Sequence, residues 1–220
     1  LLVFASLAST CAADAPLQID QSIDVGDWAD YHVIVEAADN EIPFGVTIRC
    51  VGQQQNSGKE AVWIEIESTD IASEMRLEIF RILVPTDRLR EGPFGVDDIR
   101  NAWVLRRDQQ QPLRVEQTDL QGLQLLFPGR VTEGVQEHDE KTTVAWQRGT
   151  LECRKVTLRR TTQFLNQQAT VEQVLLLHDS VPLNLAGFRF DIALENTNVK
   201  VSGTLTDHGT GAEAALPGLR

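Results

Sequence analysis

Apolar and polar residues alternate with a period of two along most of the chain, the mark of strands that bury one face only. Tyr31, Val33 and Val35 alternate with His32 and Ile34, and Val46, Ile48 and Cys50 with Thr47 and Arg49. Val62, Ile64 and Ile66 stand against Ala61, Trp63, Glu65 and Glu67, while Met75, Leu77 and Ile79 stand against Arg76 and Glu78. The most regular stretch comes late, with Phe188, Phe190, Ile192 and Leu194 against Arg189, Asp191, Ala193 and Glu195. Val199, Val201 and Leu205 then oppose Lys200, Ser202 and Thr206. Strands of this kind belong to an antiparallel sheet that is wet on one side. Turn residues join them at 56–59, 148–149, 179–187 (with Pro182) and 196–198.

A helical period appears only in the middle. Thr118, with Gln121 three places on, forms a capping box; Leu120, Leu123 and Phe127 follow on one helical face, and Pro128-Gly129 ends the run. Residues 97–107 fit a second helix through Val96, Ile99 and Trp103, or equally a strand through Trp103, Val104 and Leu105. Strands, a helical insertion and more strands, each with one apolar face, predict one domain of mainly β (α+β) class. Its core is a single curved antiparallel sheet of about eight to eleven strands that curls over a short helical lid or plug. Val62, Ile64 and Ile66 are expected on the same buried side as Phe188, Phe190 and Ile192, because a one-residue slip in register would turn each set to water.

The start of the chain changes the picture of where it works. An apolar stretch runs from Leu1 to Ala8, small residues follow through Ala13, and the sequence turns polar at Asp14. That is the pattern of a secretory signal peptide ending at residue 13, with one folded domain over 14–220 and a loose tail from 213. The protein is thus expected in the periplasm or outside the cell. Lipid anchoring through Cys11 is the less favoured variant, since Ala8 and Thr10 stand where a lipoprotein box has other residues. With Cys11 removed, Cys50 and Cys153 remain, either bridged in an oxidising compartment or as two buried thiols.

Charge narrows the partners. The 220 residues carry 32 acids and 20 bases, a net charge of −12, which disfavours nucleic acid and anionic membrane surfaces. No apolar run reaches the roughly 18 residues of a spanning helix. A phosphate-binding loop, a dinucleotide fingerprint, a nucleophile elbow, a zincin helix and zinc-spaced cysteines are all absent from the sequence. His32, His138, His178 and His208 are scattered and read as ordinary surface or edge residues. Asp20, Asp24, Asp27, Asp30, Glu36, Asp39 and Glu41 read as a solvated acidic face, since they lack the fixed alternation of a calcium loop. No catalytic residue, metal ligand or cofactor is therefore nominated. Trp28, Trp63, Trp103 and Trp146, with Phe80, Phe188 and Phe190, can be core or can line an apolar pocket. A curved sheet with an apolar concave face must be filled by its own side chains, by helices or by a ligand.

Several short patterns come in a telling order around the central insertion: Gly26-Asp27-Trp28 with Tyr31, Trp63-Ile64-Glu65, Gly149-Thr150 with Cys153, Val181-Pro182-Leu183, and Asp207-His208-Gly209-Thr210-Gly211-Ala212. In this arrangement the chain resembles exported bacterial proteins of the lipoprotein-carrier (LolA/LolB-like) superfamily. The resemblance implies a half-barrel whose apolar concavity holds an acyl chain; it brings no catalytic residues. The expected function is a non-catalytic envelope module that binds or carries a lipid or other apolar ligand. The alternative is a structural or protein-interaction module with a self-filled core. Val62, Ile64, Ile66, Leu120, Leu123, Phe127, Phe188, Phe190 and Ile192 are the expected ligand-facing residues.

Overall fold

The structure, a computed structural model, describes residues 19–38, 40–91, 94–116, 120, 134–164, 167–195 and 197–216. The expected signal segment, Cys11 and the expected helix at 118–127, apart from Leu120, lie outside the described residues.

Eleven strands form one antiparallel sheet: β1 (Trp28–Ala37), β2 (Asn40–Asn56), β3 (Lys59–Asp70), β4 (Met75–Pro85), β5 (Asn101–Arg106), β6 (Leu113–Arg114), β7 (Val135–Trp146), β8 (Gly149–Phe164), β9 (Gln167–Leu177), β10 (Leu185–Ala193) and β11 (Asn198–Gly209). A short helix, α1 (Thr86–Arg90), follows β4. The spatial order is β6-β5-β4-β3-β2-β1-β11-β10-β9-β8-β7, so the first and last strands of the domain pair at its centre. The sheet curls: β10, β9 and β8 lie between β11 and β7, yet the backbone N–H of Gln147 donates to the Thr206 carbonyl at 3.0 Å. It does not close into a barrel. The expected fold class is thus found.

Local chemistry sets the turns. Between β2 and β3, Ser57 and Gly58 have φ of 51° and 79°, the pair of positive values that a tight hairpin turn needs to match strand twist. The middle segment, open to two readings, resolves as a 3₁₀ turn at Val96–Asp98 followed by strand β5. β5 pairs with β4 from Leu83↔Asn101 to Glu78↔Arg106, so sheet pairing satisfies its backbone and the helical alternative falls.

The two faces of the sheet differ. Ile48, Ile64, Ile82 and Phe190 belong to one continuous buried cluster on the concave side. In β4 the expected faces are corrected. A register shift opposite Ser68 and Thr69 places Ile82 and Val84 in the concave cluster. Ile79 and Leu83 are buried on the outer side, whereas Met75 and Leu77 stay exposed. Over Glu65 and Arg81 on that side lies the C-terminal segment, expected to be loose from residue 213 but held at Ala215 and Leu216. Both oxygens of Glu65 accept its backbone N–H groups, from Ala215 at 2.7 Å and from Leu216 at 3.0 Å. Arg81 donates to the Leu216 carbonyl and to Glu65 at 2.9 Å through Nε. Leu216 is buried there.

Cys50 and Cys153 are free and buried, the second of the two alternatives that the sequence leaves open. They sit on β2 and β8, with β1, β11, β10 and β9 between them in the sheet. Their sulfurs lie 3.9 Å from the Gly52 carbonyl and 3.7 Å from the Leu151 carbonyl on their own strands. Burial pushes the Cys50 thiol up to about 11, so it stays protonated and unreactive at neutral pH.

Candidate functional site

Strand register stacks the concave face in rows that cross the sheet. One row runs Val156, Leu175, Phe188, Gly203, Val33, Phe44; the next runs Leu158, Gln173, Phe190, Val201, Val35, Ile42. Phe188 and Phe190 stack at 5.0 Å between ring centroids, and Tyr31 tilts against Phe188 at 6.1 Å. The Phe188 ring occupies the space above Gly203, where a Cβ would fall 2.2 Å from its Cζ; only glycine fits beneath it. Buried Tyr31 donates its hydroxyl to the Leu185 carbonyl at 2.7 Å, which pays its polar debt at the edge of the apolar face.

The structure brings together most of the residues nominated from the pattern. Val62, Ile64, Ile66, Phe188, Phe190 and Ile192 are 0–4% exposed and share one cluster with Leu120. Leu123 and Phe127 lie outside the described residues. The concave face is covered by connecting segments. Ile19 and Ile23 come from the chain before β1, Leu89 from α1, Phe94 and Val96 from the chain before β5, and Val181 and Leu183 from the β9–β10 connection. These segments bond to one another. The Gln21 N–H donates to the Leu89 carbonyl at 2.8 Å, its Oε1 accepts from the Phe94 N–H at 3.0 Å, and the Leu183 N–H donates to the Ser22 carbonyl at 3.2 Å. Leu183 holds a left-handed backbone, φ 59°, while its side chain is fully buried, so packing overrides a local cost of about 1 kcal/mol.

One feature of this face was missed on the sequence. Gln173 occupies an apolar-face position on β9, between Leu158 and Phe190, with 0% exposure. Among the described residues neither its amide oxygen nor its amide nitrogen has a hydrogen-bond partner. The signal was present as a polar residue in register with Val171, Leu175 and Leu177.

A second region collects the short patterns noted in the sequence. At the end of the sheet where β1 starts and β11 ends, a polar cleft of about 600 Å³ is lined by Asp24, Asp27, Trp28, Arg148, Asp179, Ser180, Pro182, His208 and Thr210, among others. Gly26-Asp27-Trp28, Val181-Pro182-Leu183 and Asp207–Ala212 converge there; the Ala212 N–H donates to the Gly26 carbonyl at 2.7 Å. His208 stacks on Trp146 at 4.5 Å, and the Arg148 guanidinium lies 5.6 Å over the same ring while pairing with Asp207 at 3.1 Å. Burial lowers the His208 pKa from its usual value. The four histidines were read as scattered; in the fold His208 faces this cleft. The tryptophans divide. Trp28 lines the cleft, Trp146 carries the stack, and Trp63 and Trp103 tilt together at 5.3 Å. No described helix is long and apolar enough to cross a membrane.

No protein-family model matches the chain, and no curated protein matches it. Among solved structures it is similar to a Bacteroides fragilis protein described as exported with a YmcC-like fold, at 9% identity and a TM-score of 0.43 over 88% of this chain and 100% of that one. It is also similar to an outer membrane lipoprotein-sorting protein domain from Vibrio parahaemolyticus, at 8% identity and a TM-score of 0.41 over 86% and 87%. A DUF1329 family protein from Desulfovibrio piger shows 6% identity and a TM-score of 0.39 over 86% and 87%. At such identities and scores the likeness carries nothing about activity or ligand.

Proposed function

We propose that the protein is an exported, non-catalytic module of the cell envelope that binds or carries a lipid or another apolar ligand on the concave face of its sheet. The observation that carries this reading is the way that face is covered. A wide apolar surface is roofed by irregular segments whose hydrogen bonds run from one segment to the next, from Gln21 to Leu89 and Phe94 and from Leu183 to Ser22. A roof held mainly by side-chain packing opens at lower cost than a strand in a ladder, and opening it exposes surface suited to hydrocarbon. Val62, Ile64, Ile66, Phe188, Phe190 and Ile192 are the proposed contacts, with Leu120, Leu123 and Phe127 from the central insertion.

A second reading has its own support. Those of the nominated side chains that the structure describes are already packed at 0–4% exposure, as in a structural or protein-interaction module with a solid core. Titration of the mature protein with a fluorescent long-chain fatty acid separates the two. Saturable binding to well-folded protein supports the carrier; its absence leaves the self-filled envelope module.

A further inference from the structure

We propose that Gln173 is the contact for the polar end of the bound ligand, and that this end is a group which both accepts and donates hydrogen bonds, as the carboxyl of a long-chain acid does. This rests on the carrier reading and adds the class of ligand to it.

The argument begins with position. Gln173 faces the concavity in the row Leu158, Gln173, Phe190, Val201, and it is fully buried with both polar atoms unpartnered among the described residues. A buried primary amide leaves two donors and an acceptor unsatisfied, and such groups persist where something pairs with them. A purely hydrocarbon ligand offers no partner. A carboxyl end offers an oxygen to the amide N–H and, when protonated, a hydroxyl to the amide oxygen.

The neighbouring row holds Arg160, Val171, Ile192 and Val199, of which Arg160 and Val199 are only half-buried. It is the last concave row of β10 and β11, whereas β8 and β9 run on past it to Phe164 and Gln167. Gln173 therefore lies one row, about 7 Å along the strand, inside the end of β10. The acyl chain would lie on the inner side of Gln173, over Phe188 and Phe190.

The test is displacement of the apolar fluorescent probe 1-N-phenylnaphthylamine from the mature protein by palmitic acid, methyl palmitate and hexadecane. It is run on the native chain and on Gln173→Met, which keeps length and volume and removes the amide. The expected result is an apparent affinity for palmitic acid reduced about tenfold in the variant, with a smaller loss for the ester and none for hexadecane. Equal losses for acid and hexadecane, or none for either, overturn the role of Gln173 and leave the carrier reading standing. If neither the probe nor any of the three ligands binds the native protein, both fall. A merely structural amide would not move the ratio of acid to hexadecane affinity, so that ratio is the deciding number.

Discussion

Glu65 with Arg81 on the outer face and Gln173 on the concave face are polar groups buried to the same degree, and they are treated in opposite ways. Glu65 receives Arg81, two backbone N–H groups of the C-terminal segment, and Arg49 at 3.8 Å. Gln173 receives nothing from the described residues. A buried charge costs several kcal/mol unless it is paired and hydrogen-bonded, so the saturated cluster explains itself as structure: it clamps the last described residues onto β3 and β4. The orphaned amide contributes no such clamp and carries a desolvation cost of about 1–3 kcal/mol. The outer face pairs its buried polar groups within the chain, whereas the concave face keeps an amide with no partner among the described residues, and that is the face with a group left for a ligand.

The largest expected effect tests whether the concave face is also core. Phe190→Ala is expected to lower stability by about 3–5 kcal/mol, read from urea denaturation, because the ring is fully buried and stacked on Phe188 at 5.0 Å. A loss below about 1 kcal/mol would mean that the ring faces unfilled space, and the concavity would then be open as it stands.

Next comes the outer cluster. Arg81→Met leaves Glu65 buried with only the more distant Arg49 and the N–H groups of Ala215 and Leu216, and is expected to cost about 3 kcal/mol. Glu65→Gln in the same background should recover part of that loss, since the amide oxygen still accepts an N–H of the C-terminal segment without a charge to desolvate. If Arg81→Met is neutral, the pair is not shielded from water, and the contrast between the faces fails.

These two regions were legible in the sequence to different extents. The concave face followed from alternation alone, because Val62, Ile64 and Ile66 on β3 and Phe188, Phe190 and Ile192 on β10 obey a period that only one packing satisfies. The outer cluster did not, since alternation assigns Glu65 to water and cannot know that Ala215 and Leu216, 150 residues away, lie over it. The register shift in β4 likewise turned Ile79 outward, and a bulge of one residue leaves no mark in a hydrophobic pattern. Residues 97–107 were undecided because Trp103-Val104-Leu105 suits helix and strand alike; the edge of β4 decided it. The cleft was invisible because Asp24, Arg148, Asp179 and His208 meet only through the topology.

A smaller effect of opposite sign is expected at Gln173. Gln173→Leu should raise stability by about 1–2 kcal/mol in the absence of ligand, since it removes an unsatisfied amide and keeps the volume apolar. The same urea series measures it. A loss of stability instead would show that the amide is already bonded within the fold, and Gln173 would join Glu65 on the structural side of the comparison.

The least effect comes from His208, which stands between the two cases: its Nε2 is buried without a partner among the described residues, yet the residue lies at the edge of the polar cleft. Burial lowers its pKa, with Arg148 and His178 pushing the same way and Asp207 and Asp27 pushing back. An unfolded histidine titrates near about 6.5, so just below that pH the unfolded chain holds the proton and the folded one does not. Its contribution to stability is therefore complete above about pH 6.5 and is lost as pH falls through the lower folded value. Denaturation midpoints should decline from pH 7 toward pH 5, and His208→Gln should flatten that decline. Proton NMR of the His208 ring should place its titration below the ordinary histidine value of about 6.5. If His208 titrates at the ordinary value, the stack of Trp146 and Arg148 does not shield it, and the cleft is open to water up to the ring.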